Sequence, residues 1–180
     1  MALDLRPASE ADFPAIIALT NRAYREAAGQ TGWKVESLVG GQRIDADLLR
    51  DDLAQPGAML LIACDAGGDP LGHVRLDATD DGVWYLAMLT VSPDRQDAGL
   101  GRTLLAAAEA YACDHGAHRI RMSVIHQRTE LIAWYERRGY VRTGETQPFP
   151  YGDPRFGTPT RADLFFEMLE RDLGAGPTGA

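Results

Sequence analysis

Cysteine is nearly missing from this chain of 180 residues: only Cys64 and Cys113 are present, far apart and in no CxxC or Cys/His spacing. A disulfide framework and a thiolate zinc site are excluded as organising features, and each cysteine is expected to be a small buried hydrophobe. The four histidines, His73, His115, His118 and His126, form no HExxH and share no helix face with paired carboxylates, so no metal is expected. Positive charge is also short, with 18 Lys and Arg against 26 Asp and Glu and a net charge of −8. The clustered cations that phosphate backbones require are lacking, so no nucleic-acid partner is expected. The same acidity is compatible with a cationic substrate. No apolar run approaches the roughly 20 residues needed to cross a bilayer, and MALDLRPASE lacks a basic region followed by an apolar one. No membrane partner and a cytoplasmic location are the resulting expectations.

What is present reads as an ordinary globular composition, 45% hydrophobic and 24% charged. One domain is expected over residues 1–173, followed by a flexible tail, GAGPTGA, over 174–180. Ser9 precedes a run in which Phe13, Ile16, Ile17, Leu19 and Tyr24 recur at helical spacing, after a short strand in LDLRPAS. Gln30 to Arg43 reads as loop with one helical turn at most, and Leu48, Leu49 and Leu53 predict a second helix stopped by Pro56 and Gly57. From Ala58 the pattern becomes an antiparallel meander, AMLLIACD, LGHVRLD and VWYLAMLTV, joined by Gly/Asp turns. The third of these strands is apolar on both faces, which predicts a central position covered on both sides. A helix from Leu100, a strand RIRMSVIH, a short helix in RTELIAWYERRGY, a strand from Tyr140, a Pro-rich loop and a strand around LFFEMLE follow. The order implies an α/β fold with a mixed sheet, in which the strand ending at Val91 and the strand at Ile120 run parallel through a right-handed crossover.

Gly99 and Gly101 stand directly before the most helix-favouring run, although glycine costs a helix roughly 1 kcal/mol relative to alanine. A helix N-terminus offers unpaired N–H groups and a partial positive charge, and glycines there let an anion approach the backbone. A Walker A loop is excluded because Arg102-Thr103 follows Gly101 where Lys is needed, and a dinucleotide fingerprint is excluded because position 104 is Leu. A glycine pair alone also fits a loop that merely starts a helix.

Gln96, Gly99 and Gly101, preceded by Leu89-Thr90-Val91 and Ser92-Pro93, resemble the acyl-CoA signature of the GCN5-related N-acetyltransferase (GNAT) family. Trp134-Tyr135-Glu136-Arg137-Arg138-Gly139-Tyr140 is similar to that family's second cofactor element, and the two motifs stand in the family's order. The resemblance spans Leu3 to about Leu173. It implies the GNAT acyl-CoA N-acyltransferase fold: a mixed, mostly antiparallel sheet of about seven strands flanked by helices, with central parallel strands splayed apart. It implies acetyl-CoA as co-substrate, held by Leu89, Thr90, Val91, Gln96, Asp97, Ala98, Gly99, Leu100, Gly101, Arg102 and Thr103. Tyr135 occupies the position of the family's general acid for the departing thiolate, with packing against the cofactor as the alternative. Asp97 departs from the pattern by setting a carboxylate beside a phosphate site. Arg128 departs too, and either contacts the cofactor or the acceptor or begins its helix.

The implied activity is transfer of an acetyl group to a primary amine of a small molecule or peptide, by direct attack through a tetrahedral intermediate. The alternative is a non-catalytic module of the same fold that binds CoA or another ligand. An amine attacks only when neutral, so a proton acceptor is needed, yet Val83 to Val91 carries no Glu or His. His126, Glu26, Glu36 and Asp77 are the candidates, His126 having the most suitable unperturbed pKa. Tyr24, Trp33 and Glu36, with Phe149 and Tyr151 on the Pro-rich loop, are candidate walls of an acceptor pocket. Covering the core edge is the alternative for these rings. The sequence leaves the acceptor unnamed and a homodimer open.

Overall fold

The computed structural model describes residues 5–26, 38–93 and 99–174, without the side chains of Arg25, Glu26 and Pro154. The strands are β1 (Arg6–Pro7), β2 (Val39–Gly40), β3 (Ala58–Cys64), β4 (Pro70–Asp77), β5 (Val83–Val91), β6 (Arg119–Ile125), β7 (Val141–Pro148), β8 (Thr158–Pro159) and β9 (Phe165–Asp172). The helices are α1 (Phe13–Asn21), α2 (Ala46–Leu53), α3 (Leu100–Asp114) and α4 (Thr129–Glu136). Seven strands form one sheet in the order β1-β3-β4-β5-β6-β9-β7, while β2 and β8 pair with each other. β5 is central as its composition predicts, and β5–β6 is the parallel contact in an otherwise antiparallel sheet.

Period-2 alternation sends successive residues to opposite faces, and both faces are buried. On one, Leu105, Ala108 and Ala112 of α3 meet Leu76, Trp84 and Ile120 of the sheet. On the other, Phe13 and Ile16 of α1 and Leu49 of α2 close over Leu60, Ile62 and Met88. The strand–strand fit is tight: a Cβ on Gly72 of β4 would lie 2.7 Å from the Thr90 carbonyl oxygen of β5.

Local chemistry sets the helix boundaries. Asp45 caps α2 by accepting from Leu48 N–H at 2.9 Å. The helical pattern that runs on past Asn21 does so as a π-helical turn, Arg22–Glu26, which the apolar spacing does not distinguish from a continued α-helix. The loop expected up to Arg43 contains β2, which pairs Val39 with Pro159 and Gly40 with Thr158. Cys64 and Cys113 are only half-buried, contrary to expectation. No helix among the described residues is long and apolar enough to cross a membrane.

His73 of β4 is fully buried against α1. Thr20 Oγ1 donates to the Ile16 carbonyl at 2.7 Å, so it accepts from His73 Nε2–H, also at 2.7 Å. Burial, assisted by the nearby Arg43 charge, pushes the His73 pKa from 6.5 down to about 3. In the unfolded chain the imidazole protonates as pH falls through its ordinary value, whereas the folded chain resists, so stability declines on acidification. Between about pH 7 and about pH 5.5 the protein is expected to lose roughly 1 kcal/mol more than His73→Leu, read from urea unfolding at the two pH values. Equal losses in both proteins would remove His73 as the cause.

Candidate active site

β5 and β6 pair at Val83–Arg119, Trp84–Ile120 and Tyr85–Arg121, and no further. The divergence begins beside a bulge: Met88 has φ 52, the one positive φ at a non-glycine residue among the described residues. The β4–β5 register shifts at the same place, between His73 and Arg75. The bulge also changes which face each side chain meets, since Met88 joins the α1–α2 core while Leu89 packs with the α3 core. The second half of β5 therefore leaves its β6 side unladdered, and a cleft of about 1150 Å³ opens there.

At one end of the cleft lies the start of α3. Gly99 is its N-cap, with φ 72, a left-handed conformation that favours glycine. Gly101 has no such requirement, and a Cβ there would make only ordinary contacts, 3.6 Å to Trp134 and 3.7 Å to Val91. The chain's own packing does not demand this glycine; the open approach to the first N–H groups of α3 is what it preserves. Arg102, Arg128 and Arg138 line the same end, and none has a carboxylate partner among the described residues. Arg138 stacks on Trp134 at 3.6 Å and donates from Nη1 to the Trp134 carbonyl at 2.6 Å. Its Nε is buried without a partner. Burial, together with Arg137 and Arg102, lowers the Arg138 pKa, which marks a place where positive charge is in excess.

Tyr135 lies on the cleft wall beside this cluster. Its ring packs edge-on to Trp134 at 4.9 Å and Tyr140 at 5.5 Å, and its hydroxyl has no hydrogen-bond partner among the described residues. Burial pushes the phenol pKa up, with Tyr24 adding to the rise and Arg128 and Arg138 opposing it. The group holds its proton at neutral pH and faces the cavity as a donor.

The other end is built from α1, α2, the meander and the Pro-rich loop. Tyr24, on the π turn, directs its hydroxyl to the Leu89 carbonyl at 3.5 Å, the outer limit of a hydrogen bond. Phe149 and Phe156 form an aromatic wall, their rings 6.2 Å apart. Arg75 bridges two carboxylates on the cleft lining, with 2.8 Å to Asp52 and 2.8 Å to Asp77. Tyr85, opposite Asp77 on the next strand, donates to Ser123 at 2.5 Å.

Of the cofactor residues expected from the sequence, Leu89, Thr90, Val91, Gly99, Gly101, Arg102 and Arg128 line the cleft. Leu100 and Thr103 do not; the Thr103 hydroxyl returns to the Gly99 carbonyl at 3.3 Å and closes its own helical turn. Gln96, Asp97 and Ala98 lie outside the described residues, as do Trp33 and Glu36 and the side chain of Glu26. Tyr24 and Phe149 reach the acceptor end. Tyr151 does not line it: its hydroxyl accepts from Leu164 N–H at 2.7 Å and donates to the Arg161 carbonyl at 3.0 Å, bracing the loop from behind. His126 does not line it either, because its Nδ1 is engaged by Glu167 and its ring stacks on Phe165 at 4.3 Å. Asp77 is the proton-acceptor candidate that the fold delivers to the cleft. Arg138 and Trp134 were not singled out by sequence; their four-residue spacing on a helix end was the available signal.

The profile of the acetyltransferase (GNAT) family matches residues 18–140. A mycothiol acetyltransferase from Salinispora tropica is 34% identical over 140 residues, which cover 69% of this chain and 45% of that protein. The chain thus spans less than half the length of this curated relative. Among solved structures, the ribosomal-protein-S18-alanine N-acetyltransferase from Escherichia coli superposes with a TM-score of 0.67 at 17% identity, covering 98% of each chain. A chain from Bacillus anthracis solved in complex with acetyl coenzyme A gives a TM-score of 0.55 at 16% identity, over 74% of this chain and 72% of that one. The family profile covers more than half of the chain, and the protein belongs to the GNAT acetyltransferase family.

Proposed function

We propose that the protein is an N-acetyltransferase that moves an acetyl group from acetyl-CoA to a primary amine of a small molecule or peptide. The observation that carries this reading is the meeting, in one cleft, of three features. These are the unladdered half of β5, a helix N-terminus flanked by three arginines, and the hydroxyl of Tyr135, the arginines without carboxylate partners and the hydroxyl without a hydrogen-bond partner among the described residues. The residues present fit acetyl-CoA. The N–H groups at the start of α3, with Arg102, Arg128 and Arg138, suit its phosphates, and the open edge at Leu89 and Val91 suits its amides.

Acetyl-CoA supplies an activated acyl group and a thiolate leaving group. Tyr135 donates its proton toward the departing sulfur, and Arg128 and Arg138 reduce the cost of the charge left on the phenol oxygen. The amine gives up one proton as its nitrogen becomes an amide. Asp52 and Asp77 are the carboxylates lining the cleft among the described residues. Asp77, facing Tyr85 across the strand pair, accepts that proton through water.

Acetyl-CoA is expected to raise the melting temperature in a concentration-dependent way. Arg138→Ala should weaken this binding about 10-fold by calorimetry, as expected for loss of one charge-assisted contact. Release of free CoA over a panel of primary amines tests the transfer itself. Absence of any thermal protection overturns the cofactor site, and saturable CoA binding with no amine turned over makes the chain a CoA-binding module instead.

A further inference from the structure

Another arginine without a carboxylate partner among the described residues lines the cleft, on the opposite face of the sheet from Arg102, Arg128 and Arg138. Arg43 follows β2, and its backbone is fixed by Asn21. The Asn21 Oδ1 accepts from Arg43 N–H at 2.7 Å and from Ile44 N–H at 3.1 Å, and its Nδ2 donates to the Ile44 carbonyl at 2.9 Å. The next residue, Ile44, is a fully buried anchor in the α1–α2 core. The guanidinium lies over the Tyr24 ring, 5.5 Å from its centroid, and no carboxylate or carbonyl takes it up among the described residues.

Arg43 shares that lack with Arg102, Arg128 and Arg138 but lies against α1 and α2 rather than α3 and α4. Acidic residues outnumber basic ones here, 26 to 18. Half-buried arginines away from the α3–α4 end of the cleft have partners: Arg75 has Asp52 and Asp77, Arg171 has Glu109, and Arg121 has Glu145. A guanidinium withdrawn from water, held on a locked backbone and left without an anion, is complementary to an anion that arrives with a ligand. Cofactor phosphates are served from the α3–α4 face, so this anion belongs to the second substrate. The same Tyr24 ring that carries Arg43 reaches the Leu89 carbonyl with its hydroxyl, which sets Arg43 beside the unladdered half of β5.

We infer that the acceptor is an amino carboxylate, an α-amino acid or a close homologue, whose carboxylate is bound by Arg43. This rests on the acetyl-transfer reading for the amine's role, but the recognition of the carboxylate does not depend on turnover.

The experiment uses matched probes, phenylalanine with phenylalaninamide and methionine with methioninamide, which keep the amine and side chain and replace the carboxylate by a neutral amide. Binding is measured by calorimetry with and without saturating CoA, and CoA release is measured in parallel. Wild type is expected to favour the acids by about 10- to 100-fold. Arg43→Ala should abolish the preference while changing the amide values less than about 3-fold, with Arg43→Lys between the two. Thermal protection by acetyl-CoA should be the same in all three proteins. The proposal is overturned if wild type binds amides as well as acids, if neither binds, or if Arg43→Ala weakens both alike. Failure of the transfer reading is seen separately, as acid-selective, Arg43-dependent binding without CoA release.

Discussion

Replacing Tyr135 by phenylalanine is expected to lower kcat by about 100- to 1000-fold, with acetyl-CoA affinity changed less than about 3-fold. The substitution deletes one oxygen that has no hydrogen-bond partner among the described residues and keeps a ring that is 5% exposed. Its edge contacts with Trp134 and Tyr140 survive, so neither the fold nor the cofactor wall should change. What disappears, on the proposed mechanism, is the donor to the charge growing on the leaving sulfur. Because burial holds the phenol pKa above its ordinary value, wild type should show no alkaline loss of activity from this group near neutrality. The measurement is steady-state CoA release together with calorimetric acetyl-CoA binding. A kcat within 10-fold of wild type, at unchanged affinity, would reduce Tyr135 to a packing residue.

Glu109→Ala is expected to lower the melting temperature by about 10 °C, corresponding to roughly 3 kcal/mol. Glu109 projects from the middle of α3 and is 8% exposed. One oxygen accepts from the Tyr140 hydroxyl at 2.9 Å and the other from Arg171 at 2.7 Å, tying α3 to the chain after α4 and to β9. Burial raises the carboxyl pKa, opposed by Tyr140 and Arg171, so its ionised form depends on both partners. Truncation strands a fully buried phenol and a half-buried guanidinium, and losing partners in low dielectric costs more than the net value of the bonds themselves. Glu109→Gln keeps an acceptor for Tyr140 and should cost about half as much. A fall of less than about 3 °C for the alanine variant would show that water replaces the carboxylate readily.

The main sheet was legible because its meander strands are short apolar runs bounded by turns that carry glycine and aspartate. The start of α3 was legible because two glycines precede a run of strong helix formers. β2 and β8 were not, since two-residue strands are too short to show a period and pair across more than a hundred residues. His126 illustrates a different limit. Its residue type suits a base, but Glu167, 41 positions later, holds the ring away from the cleft. Arg138 and Arg43 were hidden for the converse reason. An arginine at a helix end or in a loop looks like surface, and only the three-dimensional placement of these two in the cleft, without an ion-pair partner among the described residues, marks them out.

The bulge at Met88 has a kinetic consequence. Before it, Tyr85 and Ala87 look toward the α1–α2 face; after it, Leu89 and Val91 look toward α3. One strand thus serves two compartments, and the change of side occurs at the opening between β5 and β6. On the proposed acetyl-transfer reading, donor and acceptor would enter from opposite faces of the sheet, so that neither blocks the other's entry or exit. Such a slot favours a ternary complex over a shuttle in which the enzyme carries the acyl group between separate half-reactions.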